Sequence, residues 1–596
     1  MTEQFCAVVL AAGEGRRLAA SQLPKPLQPV CGRPMVGHVL TSLREGGIDR
    51  AHVVVGHRGD EVAGYLQEHF PEVGVIWQAA PLGPTDAVLA AVNALTAAGD
   101  TAHHVLVVNA DLPLLSTETV TRLRETHLTR AHAATVVTAR VPDPAGYGRV
   151  VRDTDGLFRS VVEDPGSDGQ EVYGGIQLLR WRELEEACEP LAKGGPHSFD
   201  RHVILDGLSE AGHRIGTVAA ASTHDVLNVN SPLELNAAGR LLNDRLVERA
   251  GLAGVLMPDP ASVYLDSDTE VGTGTVLHPG TRLRGATQIG RDCEIGPYAE
   301  LERVSAGHGV RIGAYTEVTD SVLGNEVDVH RSVVDGSTLG DQVRVGPFAY
   351  IRPGTVLDTS VKIGSYAELK KTSVGRSSTV AHFSYLGDTE VGREAHVGGR
   401  VGTANAQRGG DGRWVKSTTV IGDGCDVGAG SVLIAPLTMG PGSATAAGSL
   451  ITTDIPAGGM GYSRAPQHTV ENWTPAQHAA SVDSASSEVP GTPLPQVKSF
   501  PPASDEAADG AAESLDLEAA HAAVGDALEE INGTRVHPSQ FDAPLSRFGA
   551  DSLTVQELSV CLEERFHTTM AVGEVSADDS IQQIGHLLYS KVGCRA

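Results

Sequence analysis

From about Val271 to Ile451 an aliphatic residue followed by glycine recurs on a six-residue grammar: Val271-Gly272, Ile289-Gly290, Ile295-Gly296, Ile312-Gly313, Val345-Gly346, Ile363-Gly364, Val374-Gly375, Val391-Gly392, Ile421-Gly422 and Val427-Gly428. Four mostly polar or small residues fill each interval. This hexapeptide pattern predicts a left-handed parallel β-helix, each unit forming one side of a triangular coil with its aliphatic residue turned inward. Glycine and small residues fall at or near the corners, where a side chain would crowd the turn. One unit cannot bury its own face, so stacking of coils makes the core.

The flanking segments carry other periods. Upstream, apolar strands at Cys6–Leu10, His52–Val55, Val75–Gln78, Val105–Asn109 and Ala134–Ala139 alternate with helix-like stretches. That alternation predicts a mostly parallel α/β sheet of Rossmann-like build that binds ligands beyond its strand carboxyl ends. Residues 231–255, with Leu233, Leu235, Leu241, Leu242 and Leu246, read as a connecting helix. Downstream, helical patterns cover Leu515–Ile531, Leu553–Phe566 and Ile581–Tyr589, with Leu553, Leu558, Leu562 and Phe566 on one face. The expected domains are therefore 1–230 (α/β), 231–255 (connecting helix), 256–473 (β-helix), 474–512 (linker) and 513–596 (helical).

Composition sharpens this picture only in places. Aromatic residues make up 4% of the 596, which suits a solenoid with thin aliphatic layers. The formal charge of −28 argues against a nucleic-acid partner, because phosphate contacts need a basic face. The 7 cysteines have neither the pairing of a disulfide framework nor the spacing of a zinc site. With no apolar run near membrane-spanning length and no signal segment, the expectation is a soluble cytoplasmic protein without a membrane partner. Residues 474–512, rich in Pro, Ser, Ala, Asp and Glu, read as a disordered tether.

Candidate chemistry begins at the first strand. Leu10-Ala11-Ala12-Gly13-Glu14-Gly15-Arg16-Arg17-Leu18 runs from it into a turn whose glycines let backbone N–H groups approach phosphate oxygens. With Leu23-Pro24-Lys25-Pro26-Leu27, the stretch resembles the signature of sugar-1-phosphate nucleotidyltransferases. Asp111, in Asn109-Ala110-Asp111-Leu112-Pro113, is a carboxylate suited to hold Mg²⁺ against a triphosphate, while Arg17 and Lys25 can neutralise charge as the α-phosphate is attacked.

Together with the β-helix downstream, residues 5 to 470 resemble the bifunctional glucosamine-1-phosphate N-acetyltransferase / N-acetylglucosamine-1-phosphate uridylyltransferase (GlmU) family. The landmarks are the Lys25 motif, Gln78, Asp111, Asp143-Pro-Ala-Gly-Tyr-Gly-Arg149, Glu163 and Val229-Asn230. The resemblance implies that Leu10, Ala11, Ala12, Gly13, Gln78 and Gly83 hold the nucleotide, Gly146 and Glu163 the sugar, and Asp111 with Asn230 the Mg²⁺. Departures fall in the substrate pocket. Pro84 stands where the family has a threonine that helps read uracil, and it offers neither N–H nor hydroxyl. Tyr173-Gly174-Gly175-Ile176 replaces a sugar-contacting Asn-Thr-Gly-Ile. Two outcomes fit: a different nucleotide–sugar pair, or a domain of reduced activity.

Within the β-helix, Gly346-Pro-Phe-Ala-Tyr-Ile-Arg352-Pro-Gly354, Glu368-Leu-Lys370-Lys371 and Ala381-His382-Phe-Ser-Tyr385-Leu-Gly-Asp388 match the family's acetyltransferase site in order and spacing. By that resemblance His382 is the general base for the acceptor amine, and Arg352, Lys370 and Tyr385 hold the sugar phosphate. The residue types suit that chemistry, since imidazole can take an ammonium proton near neutrality, and Arg and Lys supply fork and point-charge donors to phosphate. Asn405, Ala429, Ala447 and Arg464 correspond to the coenzyme A side. His396 stands where the family has asparagine, and the loop from Ala404 to Lys416 lacks the family's Tyr and Asp, so it is expected to reshape acceptor recognition. Sites of this class lie between subunits, which implies a homotrimer.

Finally, Phe548-Gly549-Ala550-Asp551-Ser552-Leu553 resembles the phosphopantetheine attachment site of acyl or peptidyl carrier proteins, with Ser552 bearing the 4′-phosphopantetheine. This implies a small four-helix carrier bundle over 513–596 and two partners, a phosphopantetheinyl transferase and an acyl-loading enzyme. A tether of about 40 residues would raise the effective concentration of a carried thioester into the millimolar range. The leading expectation is N-acylation of an amino sugar phosphate or related small-molecule amine by an acyl-carrier thioester, preceded by a nucleotidyltransferase-like domain, of altered specificity or reduced activity, that uses a nucleoside triphosphate. The alternative is acetyl-CoA-dependent acetylation of glucosamine 1-phosphate with UTP-dependent uridylylation. A third reading is a scaffold that presents the carrier without catalysis.

Overall fold

The computed structural model describes residues 4–15, 18, 23–80, 82–99, 102–162, 169–193, 202–408, 413–463, 467, 469, 517–532, 536–548, 555, 558–559, 561–562, 566, 575–576 and 578–593. The chain forms two compact units, Met1–Gln467 and His468–Ala596. Among the described residues no helix is long and apolar enough to cross a membrane.

In the first unit the strands fall within one or two residues of the hydrophobic runs that predict them: Phe5–Leu10, Ala51–Val55, Gly74–Trp77, His104–Asn109 and Ala134–Arg140. They join a nine-stranded sheet. Phe5–Leu10 lies at its middle, parallel to Ala51–Val55 on one side and to His104–Asn109 on the other. The long strand Glu171–Arg180 runs antiparallel between His104–Asn109 and Ala134–Arg140. Helices cover both faces, as fully buried strands such as Cys6–Val9 require. The carboxyl ends of Phe5–Leu10 and His104–Asn109 therefore open side by side, which is where such sheets bind ligands.

Helix Pro232–Leu252 leads to the second fold. Asn243 bonds both the Val263 carbonyl, 2.8 Å, and the Leu265 N–H, 2.9 Å, tying the helix to the first coil. Arg245 reaches back to the sheet domain, donating to Asp225 Oδ1 at 3.0 Å and to the Leu114 carbonyl at 2.6 Å. Arg33 pairs with Asp268, and Ser267 N–H donates to the Cys31 carbonyl at 2.9 Å. The two folds of this unit are thus bonded through several independent elements.

From Tyr264–Leu265 to Met460–Gly461 the strands build three parallel sheets of 11, 10 and 11 strands, one for each side of a triangular coil. The aliphatic positions stack in register. One column runs Leu265, Leu283, Leu301, Val318, Val334, Ile351, Leu369, Leu386, each paired with the next and each almost wholly buried. Burying each such side chain contributes roughly 1.5–3 kcal/mol. Glycine is needed where coils approach most closely: a Cβ on Gly290 would stand 2.2 Å from the Gly307 carbonyl oxygen.

The corners differ from the sequence expectation. Many residues that turn through the left-handed region are not glycine but Tyr298, Tyr315, Phe348, Tyr366 and Phe383. A side chain there costs about 1 kcal/mol. The rings stack along the corner, Phe348 on Tyr366 and Tyr366 on Phe383 at 5.1 Å between centroids, and Tyr298 on Tyr315 at 5.3 Å. Such pairs contribute about 0.5–1.5 kcal/mol each, enough to offset the backbone cost.

In the second unit, helices Leu517–Asn532 and Ile581–Gly593 pack through Ala520, Val524, Leu528, Ile584 and Leu588, with Leu558 and Leu562 in the same core. The first lies within two residues of the helical period read at Leu515–Ile531, the second begins at the expected Ile581 and runs four residues past Tyr589, and most of the expected helix Leu553–Phe566 lies outside the described residues. Ser552 lies outside the described residues, as do Arg17, Glu163 and Arg464.

Candidate functional site

The described residues form a cluster in the sheet domain and another in the β-helix. The first opens a cavity of about 460 Å³ at the carboxyl edge of the sheet. Leu10, Ala11, Ala12, Gly13, Lys25, Gln78, Gly83, Asp111 and Asn230, expected from distant parts of the sequence, all line it. Gly146 does not. It turns at φ +82° in a neighbouring loop, where Arg149 donates to the carbonyls of Pro144 and Tyr147.

Local structure explains the convergence. Gly15 turns at φ +60°, and a Cβ there would meet the Lys25 Cβ at 2.7 Å, so the loop after the first strand can close onto Lys25 only as glycine. Lys25 heads a short 3-10 turn and extends its ammonium to Asp111 Oδ2, 2.5 Å, and Asn230 Oδ1, 2.9 Å. Asn230 is held by the cap of the connecting helix: its N–H donates to Glu234 Oε2 at 2.7 Å, while Ser231 Oγ accepts from Glu234 N–H at 3.3 Å. Asp111 follows strand His104–Asn109, and its carbonyl accepts from Val229 N–H at 3.0 Å.

Asp111 Oδ1 is buried with no hydrogen-bond partner. One unsatisfied carboxylate oxygen beside the Asn230 amide oxygen is a hard, oxygen-only donor set of the kind Mg²⁺ takes while keeping waters and substrate phosphate as its other ligands. Among the described residues no group of three or more His, Cys, Asp and Glu side chains is arranged to hold a metal by itself.

Away from Lys25 the lining includes neutral Gln78, Gly83 and Pro84, and Gln78 in turn is bonded to the Asp86 carboxylate. Gln78, 8% exposed, donates through Nε2 to Asp86 Oδ2 at 2.6 Å and to the Gly83 carbonyl at 3.3 Å. Gly83 turns at φ +125°, and Pro84 begins helix Pro84–Ala97 without an N–H to offer. Asp86 escapes a sequence reading because its role exists only through its contact with Gln78.

The second cluster sits on successive coils of the β-helix. Strand pairing sets Tyr385 against Glu368 and Lys370 against Gly387. Arg352 pairs with Glu368 Oε1 at 2.9 Å and lies 5.6 Å from the Tyr350 ring. Burial, and then the nearby charges of Lys416 and Arg352, hold the Lys370 ammonium below its ordinary pKa. Three cations crowding one spot form a natural seat for a phosphate. Lys416 thus joins the cluster from the far strand of a hairpin, Ala406–Arg408 with Trp414–Lys416, a placement the loop sequence does not reveal. Burial, and then Glu368, raise the Tyr385 phenol above its ordinary pKa. Asn405, 8% exposed, donates to Asp388 Oδ2 at 2.5 Å.

His382 occupies the stacked corner, edge-on to Phe383 at 5.6 Å, and is exposed beside a cavity of about 440 Å³ that Tyr366 and Lys362 also line. Its carbonyl accepts from Arg400 N–H at 2.9 Å. On the next coils Gly399 accepts from Gly430 N–H at 2.7 Å, and Ala429 from Gly448 N–H at 2.8 Å. A Cβ on Gly428 would stand 2.5 Å from Ala447 N. Ala429 and Ala447 therefore continue the corner downward from His382 as a track of small residues.

Comparisons with known proteins agree with both folds. Residues 7–166 match the MobA-like NTP transferase domain, and residues 522–588 match a phosphopantetheine attachment site. The Bifunctional protein GlmU of Streptomyces avermitilis is 38% identical over 492 residues, covering 81% of this chain and 96% of that protein. The protein of the same name from Streptomyces coelicolor is 36% identical over 491 residues, covering 81% and 96%. That from Heliobacterium modesticaldum is 36% identical over 483 residues, covering 80% and 99%. The chain belongs to the GlmU family of acyl- and nucleotidyltransferase enzymes and carries, in addition, a phosphopantetheine-type carrier domain.

Proposed function

We propose that the chain acetylates the amine of glucosamine 1-phosphate from acetyl-CoA in the β-helix, then transfers the uridylyl group of UTP onto the product in the sheet domain. The observation that carries this is the survival of both clusters, each with its polar groups converging, in a chain that matches GlmU proteins over nearly their whole length. Altered specificity, although suggested by Pro84 and Tyr173, has less support than the pair of activities of the relatives.

In the first reaction the sugar phosphate sits against Arg352, Lys370, Lys416 and Tyr385. The amine attacks the thioester carbonyl, His382 accepts the ammonium proton, and the C–S bond breaks to release the coenzyme A thiolate, which is then protonated. The Ala429–Ala447 track suits the thin pantetheine arm, with Asn405 at its acceptor end. His382 is exposed on a single chain, so a neighbouring copy in a homotrimer would close the site. In the second reaction an oxygen of the sugar phosphate attacks the α-phosphorus of UTP in line and pyrophosphate leaves. Lys25 neutralises phosphate charge and Asp111 and Asn230 orient it. Mg²⁺ on Asp111 and Asn230 would neutralise the triphosphate when bound.

The test incubates the full chain with glucosamine 1-phosphate, acetyl-CoA, UTP and Mg²⁺, following thiol release and UDP-sugar mass. His382→Ala should stop only the thiol release and Lys25→Met only the nucleotide transfer. Thiol release indifferent to the amino sugar would sink the reading.

The carrier match at 522–588 favours a second reading, in which an acyl group on Ser552-phosphopantetheine serves as donor to the same amine. If Ser552→Ala leaves acyl transfer untouched with no acyl-CoA present, the carrier serves another enzyme.

A further inference from the structure

The 460 Å³ cavity has unlike ends, which decides how a nucleotide lies in it. Lys25, Asp111 and Asn230 are bonded together after strand His104–Asn109, whereas neutral Gln78 and Gly83 follow strand Gly74–Trp77, three places along the sheet. A nucleoside triphosphate carries its charge on one end and an uncharged ring on the other, so the base faces Gln78. This orientation rests on the nucleotidyltransferase reading of the cavity.

A glutamine amide carries a donor end and an acceptor end, and alone it can present either. Here the choice is made. Both Nε2 hydrogens have acceptors, Asp86 Oδ2 at 2.6 Å and the Gly83 carbonyl at 3.3 Å. Turning the amide over would set its oxygen against the Asp86 carboxylate, acceptor to acceptor, at a residue that is itself buried. Oε1 is therefore the end left for the base. Pro84, next in the wall, adds no N–H that could reverse this preference.

We propose that Asp86 is a positioning residue for base selection: by fixing the Gln78 amide it selects a pyrimidine with an N–H at ring position 3. Uracil donates from that position to Oε1. Cytosine has a lone pair there, which faces the Oε1 lone pairs and is repelled. Without Asp86 only the longer bond to the Gly83 carbonyl, 3.3 Å, still holds the amide, so it turns over more readily and serves either base, and the discrimination shrinks although Gln78 remains.

The test measures kcat/KM for UTP and for CTP with N-acetylglucosamine 1-phosphate, using full-length wild type, Asp86→Ala and Asp86→Asn. The expected result is a UTP preference that shrinks at least about tenfold in Asp86→Ala, mainly through a lower KM for CTP. Asp86→Asn keeps an oxygen for Gln78 Nε2 and should restore most of the preference. Acetyl transfer at His382 reports that the variants are folded. An unchanged UTP-to-CTP ratio in Asp86→Ala overturns the inference, as does a wild type that does not prefer UTP. The dissociation constants of UTP and CTP, measured without acceptor, separate the two levels. A wild type that transfers neither nucleotide sinks the reaction reading, and the ratio of its binding constants, with and without Asp86, still decides the role of Asp86.

Discussion

Gly399→Ala tests how His382, the proposed general base, is held. A Cβ on Gly399 would stand 3.0 Å from His382 Nε2 and 3.1 Å from Cε1, inside ordinary van der Waals contact. The imidazole must therefore give way by a few tenths of an ångström, and since a displacement of ~1 Å can cost a hundredfold, a loss of about fivefold in acetyl transfer is expected. Stability should move the other way. Gly399 does not adopt a left-handed backbone, so alanine is conformationally allowed and should stabilise by about 0.4–1 kcal/mol through the unfolded chain. The assay is thiol release from acetyl-CoA, with pyrophosphate release at Lys25 as internal control and a denaturant titration alongside. A variant with unaltered acetyl transfer would refute the idea that the backbone below His382 sets its position.

Three further outcomes are expected. Lys25→Met should lower nucleotide transfer by about a hundredfold or more, because it removes the charge shared by Asp111 and Asn230, and should leave acetylation intact; coupled UDP-sugar formation checks this. Burial, with help from His104, pushes His127 down to about 3, and burial pushes His38 down to about 4, so both are neutral in the fold and take protons on unfolding below about pH 6.5. Their contribution is whole above that pH and is lost as pH falls, by up to about 1.4 kcal/mol per pH unit for each; a denaturant midpoint as high at pH 5 as at pH 7.5 would contradict it. Leu386→Ala removes a wholly buried rung beside Tyr385 and should cost about 2–5 kcal/mol in the same titration.

The hydrophobic pattern carried most of the architecture. Aliphatic–glycine pairs such as Ile363-Gly364 map onto coil sides because inward residues must be apolar and close coil contacts must be small. The strand bounds of the sheet domain, and the starts of the two described carrier helices to within two residues, were legible for the same reason. The corner conformation was not: a left-handed Tyr366 or Phe383 looks unfavourable alone and becomes acceptable only when the coils stack their rings. In the candidate sites, residues carried by local motifs, such as Lys25, Asp111 and His382, can be proposed from sequence. Lys416 and Asp86 could not, because each acquires its part from a partner, Lys370 or Gln78, that only folding brings near.

The in-register columns of the β-helix make its length a modular quantity. Each coil repeats the pairing of the one before it, as Leu369 does on Ile351 and Leu386 on Leu369, and touches only its neighbours. Insertion or removal of one coil between Tyr264 and Arg352 would slide the acyl site along the axis by one strand spacing, about 4.8 Å, without altering any residue of either site. The separation between the two reactions is thus set in discrete steps, like notches on a ruler. A series of coil insertions would let the passage of product from one site to the other be measured against distance alone.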